Sequence, residues 1–452
     1  MLSDKFRRQL SQEAEQWRRE GLIDDYIYEK LAQRYQFIEL ETFISNRFIL
    51  ILLGLGSVLL GLGTITFVQA NWQNLPRGLK VTLLLSLFIG INTIGFYLWR
   101  RQTNLWQRRL GKALLFLGAL VLGANMAVIS QMFYQNEQLY QWYLVWGLGV
   151  LVMAYSLRLT WLGILSVLLI GLGYVYGSQQ QTFVTIAKLS WLQLILQYMP
   201  VLAGLAFVPL AYWCRSRWIF RLGAITVVYS LEANLIGLNL FASQAWIASI
   251  ACALPPALLW AYRDSLWKIQ PNFQLFTSTA STLAITFLGL QFYLLSFYWW
   301  WNSSLSTAPL IEEASPLFLS TLSNVLILGG LTIWAWLRLL RQTDLTTTVV
   351  AGMIAIGALI PYWHLSITNL PIAAVVIYNL LLFILAVGIV RKGLVRRERR
   401  LFWGGMALLI MQIFTRIIEY NTDLLFKSLV FFLCGFGVVA AGLWFERNLR
   451  SF

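Results

Sequence analysis

The stretch Phe48–Val68 reads FILILLGLGSVLLGLGTITFV and carries no charged side chain. About 20 apolar residues suffice for a helix to cross the hydrocarbon core of a bilayer. In that medium each backbone N–H and C=O must find its partner inside the structure, which leaves helices and closed barrels as the only spanning forms. Barrel strands alternate apolar and polar residues, and this run shows no such alternation. Runs of the same kind recur along the rest of the chain, so the expected fold is all-α, a polytopic helical membrane protein. Charged residues make up only 12% of the chain, about half of what a soluble protein carries.

Reading every run this way gives about fourteen transmembrane helices. They fall at approximately 48–68, 80–99, 112–132, 142–157, 159–176, 191–213, 218–240, 244–262, 275–297, 317–337, 346–363, 371–390, 401–418 and 424–444. Arg158 alone divides the fourth from the fifth. With the amino terminus inside, all of the 34 Lys and Arg residues fall on the inner side except Arg77, Lys80, Lys188, Arg416 and Lys427. So large an asymmetry over short loops is what cytoplasmic retention of basic residues produces. Both termini are therefore expected in the cytoplasm, and the membrane is expected to be a bacterial plasma (inner) membrane. The same distribution removes the nucleic-acid reading that a net charge of +15 would invite, because the charge marks topology rather than one basic patch.

Three regions are expected: 1–47, a short cytoplasmic helical hairpin; 48–190, about five spans; and 191–452, about nine more. In the first, Phe6, Leu10, Ala14 and Trp17 make one apolar stripe at helical spacing. Gly21 ends that helix, and Asp24 or Asp25 caps a second through Ile27, Leu31 and Tyr35. The hairpin reads either as a tether on the inner membrane face or as a docking module for a cytoplasmic protein partner. Val68-Gln69-Ala70 fits a signal-cleavage rule, but the charged region ahead of it is far longer than a signal peptide has.

Small residues mark helix packing. Gly54, Ser57 and Gly61 share one face of the first span, and Gly118, Gly123 and Ala127 recur in the third, spacings that let backbones approach closely. Gly54-Leu55-Gly56 and Gly61-Leu62-Gly63 lack the strand and downstream acid of a dinucleotide site. Cys214, Cys252 and Cys434 are far apart and lie in or at the end of apolar runs, so they read as packing residues rather than a disulfide framework. His364, the single histidine, reads as a wet loop residue, and no catalytic, metal-binding or cofactor-binding set is expected around it.

The polar residues near the spans gather toward their outer ends. Gln69, Asn71 and Trp72 end the first span, Gln131 closes the third, and Glu232 and Asn234 occupy the outer half of the seventh. Glu232, inside VVYSLEANLIGL, is the strongest of these, because a lone acid at that depth is costly. It must take a partner, stay protonated or face water. Asn234, two residues on, cannot share its helical face, whereas Tyr229, three back, can. Arg416 and Glu419, three apart, suit a local, structural ion pair. Trp299, Trp300 and Trp301 suit the aromatic belt at the membrane surface.

Several spaced motifs agree in order with one family. Trp17 is followed by Gly21-Leu22-Ile23; GLGSVLLGLGTITFVQANWQNLPRGLK holds Asn71-Trp72 and Leu75-Pro76; and GKALLFLGALVLGANMAVISQMFYQNEQLYQWYLVWGL holds Gly123-Ala124 and Gln131-Met132-Phe133. Over roughly residues 10–160 the chain resembles the predicted-membrane-protein family catalogued as domain of unknown function 2157. The resemblance implies membership, makes Asn71-Trp72 part of a recurring pattern, and carries no mechanism.

Three functions compete. A transporter or handler of lipid or envelope precursors would use Gln69, Asn71, Trp72, Gln131, Glu232 and Asn234 as a polar site toward the outer leaflet. Against it, no span pair broken by Pro or Gly is evident in the sequence. A non-catalytic scaffold or sensor would dock a partner through residues 1–47 and sit otherwise in the lipid bilayer. A membrane-embedded glycosyl transferase ranks lower, since the first outward loop, 69–79, holds no acid to act as a base.

Overall fold

The computed structural model describes residues 4–35, 52, 54–63, 66, 76–101, 105–132, 139–179, 191–237, 244–264, 276–302, 316–341, 345–419 and 423–450, and every regular element among them is a helix. The first six are α1 Asp4–Arg19, α2 Asp25–Tyr35, α3 Gly54–Gly63, α4 Arg77–Arg100, α5 Leu105–Met132 and α6 Leu139–Leu157. Then come α7 Thr160–Gln179, α8 Trp191–Gln197, α9 Met199–Trp213, α10 Arg217–Gly237, α11 Gln244–Ala261 and α12 Thr277–Leu295. The last six are α13 Trp299–Asn302, α14 Pro316–Leu340, α15 Leu345–Ser366, α16 Pro371–Arg396, α17 Arg399–Glu419 and α18 Leu424–Arg450.

Among the described residues nine helices are long and apolar enough to cross a membrane: α4, α5, α7, α10, α11, α12, α14, α15 and α16. Counting α8 and α9 together as one bent span makes ten. The difference from the expected fourteen has identifiable sources. α6, α17 and α18 form helices of 19, 21 and 27 residues but stand outside that set. α6 is diluted by Gln141 and five Tyr or Trp side chains, and α17 carries two arginines at its start and Arg416 and Glu419 at its end. The first expected span, 48–68, is described mainly over α3.

The chain divides into two compact units, Met1–Gln138 with Leu148–Leu162, and Leu139–Gly147 with Gly163–Phe452. In the first unit α1 and α2 form where the apolar spacing places them. Ala14 is fully buried. Gly21 takes a positive φ of 73°, and Leu22 N–H reaches back to Trp17 O at 2.9 Å, the left-handed helix stop that glycine adopts without Cβ strain. Asp24 O then accepts from Ile27 and Tyr28 N–H at 3.0 Å, and Arg18 pairs with Asp25 across the turn. α4 and α5 cross so closely that a Cβ on Gly111 would stand 2.4 Å from Trp99 N. Gly118 lies against the Asn92 side chain and Gly61 touches Leu117 at 3.4 Å. Gly54, expected at a packing face, and the nearby Gly56 and Gly63 have no described atom within 4 Å of their Cβ positions, and Ala127 is exposed.

The second unit packs α10, α11, α12, α14, α15 and α16 around Val228, Leu288, Phe292, Ile354, Tyr378 and Leu382. Its most consequential departure from expectation is in 191–213. Instead of one straight span, α8 and α9 meet at an 83° bend at Tyr198, with Pro200 at the start of α9. Pro200 has no N–H to offer the carbonyl of Leu196, four residues back in α8, and its ring crowds that turn. This is the local contribution of the sequence YMP to the break.

Candidate functional site

The break leaves the last carbonyl of α8 without its helical partner, and amides from two other helices take its place. Gln197 O accepts from Asn234 Nδ2 of α10 at 3.0 Å and from Asn324 Nδ2 of α14 at 2.7 Å. Asn234 Oδ1 in turn accepts from the Tyr174 hydroxyl of α7 at 2.7 Å, and that hydroxyl also reaches Ser230 O. Asn234, 2% exposed, thus has its donor and its acceptor engaged and works as a clamp on the bent span.

Glu232 lies two residues earlier and on another face of α10, as helical geometry requires. Its Oε1 is buried and accepts no hydrogen bond among the described residues. Cys252 of α11 lies within electrostatic reach of Glu232, and its thiol lies within hydrogen-bonding reach of Gln291 of α12 and Tyr378 of α16. Gln291 Nε2 donates to Cys252 O at 3.1 Å, and the Tyr378 hydroxyl donates to Gly357 O at 2.6 Å. Gln291 Oε1, like Glu232 Oε1, is buried with no donor among the described residues. Tyr229, which shares the face of Glu232, packs edge-on to Tyr174 instead, at 6.1 Å between ring centres.

The buried Glu232 carboxyl oxygen, an acceptor to which no described group donates, defines the chemistry of this site. A buried acceptor without a donor costs about 1–3 kcal/mol, and more if charged. A group that donates hydrogen bonds or carries positive charge is the complement. Hydroxyl, ammonium, a proton and a small cation all meet that description.

A third polar layer ties α17 to the turn after α12. Arg416 Nη1 donates to Ser296 O at 2.6 Å, its guanidinium stacks on Phe297 at 4.2 Å, and it is ion-paired with Glu419. Glu419 Oε1 accepts from Tyr298 N–H at 2.8 Å. Gln412 Nε2 donates to Asn379 O at 2.9 Å, and Asn379 Nδ2 reaches Ser296 O at 3.3 Å. The pair is thus local in sequence but tertiary in effect.

Other expected residues fall differently. Gln69, Asn71 and Trp72 lie outside the described residues, and Gln131 is described only as backbone in the last turn of α5. His364 is not a loop residue: it sits in the last turn of α15, half-buried. Its Nδ1 accepts from Leu370 N–H at 3.1 Å, and its ring meets Trp301 at 5.0 Å. Trp301 is no belt residue either. It is 8% exposed, stacks on Tyr378 and donates to Leu295 O at 2.8 Å, while Trp299 and Trp300 remain exposed.

Sequence reading missed Gln291, Asn324, Asn379 and Gln412, four amides inside apolar runs, although that placement is itself the signal. It also missed Asp264, 4% exposed. Asp264 Oδ2 accepts from Phe276 N–H at 3.0 Å and from both the N–H (3.1 Å) and hydroxyl (2.9 Å) of Thr277, and Oδ1 accepts from Tyr212. An acid just past α11 thereby caps the start of α12.

Residues 15–163 match the model of the family described as predicted membrane protein (DUF2157). No curated protein matches the chain, and no solved structure does.

Proposed function

We propose that this chain transports or handles a lipid or envelope precursor, and that Glu232 receives the precursor's hydrogen-bond-donating head group. One observation carries the reading: the buried Glu232 Oε1 of α10, which accepts no hydrogen bond among the described residues. An acid held in apolar helices without a partner is retained at a cost, and a ligand that donates to it offsets that cost only when bound. The bent α8–α9 span adds support, since discontinuous helices beside a polar site are how secondary transporters expose backbone groups in the bilayer. In this reading the chain has about fourteen spans and both termini in the cytoplasm of a bacterial inner-membrane protein. The charge asymmetry then puts Gln69, Asn71, Trp72 and Gln131 on the outer side with Glu232.

The test is lipid translocation in proteoliposomes holding phosphatidylethanolamine with a fluorophore on an acyl chain, so that the ammonium head group stays free. Wild type is expected to move the lipid between leaflets, and Glu232→Gln to slow it at least tenfold, about the worth of one hydrogen bond to a charged group. Equal rates for the two proteins remove the reading.

A second reading is favoured by the surface of the α1–α2 hairpin, where Leu22, Tyr26 and Ile27 are exposed together at the turn. There the chain is a scaffold or sensor, and the hairpin binds a cytoplasmic protein. Deleting residues 1–40 separates the two: translocation persists in the first case, whereas in the second the deletion abolishes partner capture and no wild-type translocation is seen.

A further inference from the structure

α16 continues as a helix beyond the end of its apolar run. Residues 371–390 hold no charged side chain, and 20 helical residues rise about 30 Å, the thickness of the hydrocarbon core. The helix then runs on from Arg391 to Arg396, a further rise of about 9 Å. The head-group layer on each side of a bilayer is roughly 5–8 Å thick, so these last residues cross it. α17 starts back at Arg399. The turn thus carries Arg391, Lys392, Arg396, Arg397, Arg399 and Arg400 against one acid, Glu398, and the five arginines are all exposed.

The turn is also narrow. A Cβ on Gly393 would stand 2.5 Å from Phe402 N, so α16 and α17 meet at backbone level directly below the charges. Arg397 takes a positive φ of 55°, with its N–H on Leu394 O at 3.2 Å and Glu398 N–H on Gly393 O at 3.0 Å. Glycine is the usual residue at such a left-handed helix stop. A side chain there carries a steric cost, and the one kept is a cation. Exposed guanidinium groups complement phosphate, which arginine binds in fork geometry. Depth selects the source of that phosphate. At head-group level the arginines meet lipid phosphates before any soluble polyanion, and Val395 beside them, 78% exposed, suits the apolar border of that layer better than water.

We propose that the α16–α17 turn is a docking surface for anionic phospholipid head groups, with Arg391, Arg396 and Arg400 set against the phosphates. Clusters of four to eight basic residues next to a span attract anionic lipid, and here the backbone holds the cluster in one tight turn. The inference stands apart from the reading of Glu232, because its test reads binding rather than translocation.

The experiment is native mass spectrometry of the full chain in detergent, titrated with phosphatidylglycerol or with phosphatidylcholine of the same acyl chains. The first lipid adduct reports the tightest site. Wild type is expected to favour phosphatidylglycerol there by about thirtyfold or more, the worth of at least two basic residues near a phosphate. Arg396→Gln with Arg400→Gln is expected to lower that preference about thirtyfold, and Arg391→Gln alone about fivefold. The phosphatidylcholine adduct should persist in each variant, since these exposed side chains leave the helix contact intact. Arg338→Gln with Arg341→Gln removes the same charge from the end of α14, where the Arg338 guanidinium is held over the Trp334 ring at 4.1 Å. That variant is expected to keep the wild-type preference. Equal binding of the two lipids by wild type overturns the proposal. So does a preference that survives in Arg396→Gln with Arg400→Gln, or an equal loss in the two double variants, which would reduce the effect to overall charge.

Discussion

Arg416→Leu is expected to destabilise the folded protein by about 3–5 kcal/mol, the cost of removing one member of an enclosed ion pair. The arginine and its partner Glu419 keep only 15% and 17% of their side-chain surface exposed. Losing the guanidinium also removes the hydrogen bond to Ser296 O and the stacking on Phe297. It leaves Glu419 bonded to Tyr298 N–H alone among its described contacts, in surroundings too dry to hydrate the charge. The double variant Arg416→Leu, Glu419→Leu should recover part of the loss, because replacing both charges removes the uncompensated one. Thermal unfolding in detergent checks this. The midpoint of the double variant is expected to fall between those of Arg416→Leu and wild type, and a single variant that melts with wild type would place the pair outside the protein's stability.

Gly111→Val is the second large effect. A Cβ at this position would lie 2.4 Å from Trp99 N and 2.8 Å from both Gly95 O and Trp99 Cα. All three are backbone atoms of α4 or its last turn, so no flexible side-chain tip can swing away. Overpacking of this kind costs about 1–3 kcal/mol and occasionally more, and a rigid backbone neighbour puts Gly111→Val at the upper end. Gly90→Ala on α4 is the matched control. Nothing lies within 4 Å of its Cβ position, and Ala gains about 0.5–1 kcal/mol over Gly inside a helix. Melting midpoints should therefore move in opposite directions.

The pattern of success and failure in the sequence follows from the range of each interaction. α1 and α2 were legible because an apolar stripe, a left-handed glycine and an N-terminal acid all lie within a few residues of what they decide. Glu232 was legible because charge inside an apolar run is conspicuous. Its surroundings were not: Cys252 comes within electrostatic reach of it from α11, and Gln291 and Tyr378 approach Cys252 from two further helices, at separations that no local spacing rule covers. The α8–α9 break was written in Tyr198-Met199-Pro200, but a proline within a span need not break it, and Pro209, Pro255, Pro256 and Pro361 stand inside continuous helices. Only Asn234 and Asn324, by supplying donors to Gln197 O, make the bent form affordable. Trp301 and His364 were misplaced for one reason. Aromatic and imidazole side chains near a span end suit the membrane surface on composition alone, and their contacts with Tyr378 and Leu370 N–H depend on how α13, α15 and α16 pack.

The central claim is that Glu232 is held open for a ligand rather than satisfied within the protein. The direct measurement is a cryo-electron microscopy map of the full chain in nanodiscs made with native-composition lipid. The claim predicts non-protein density within hydrogen-bonding distance of Glu232 Oε1, lost in Glu232→Gln while the surrounding helices stay in place. A map in which Glu232 is hydrogen-bonded to a neighbouring side chain, with no additional density at the carboxyl, contradicts it.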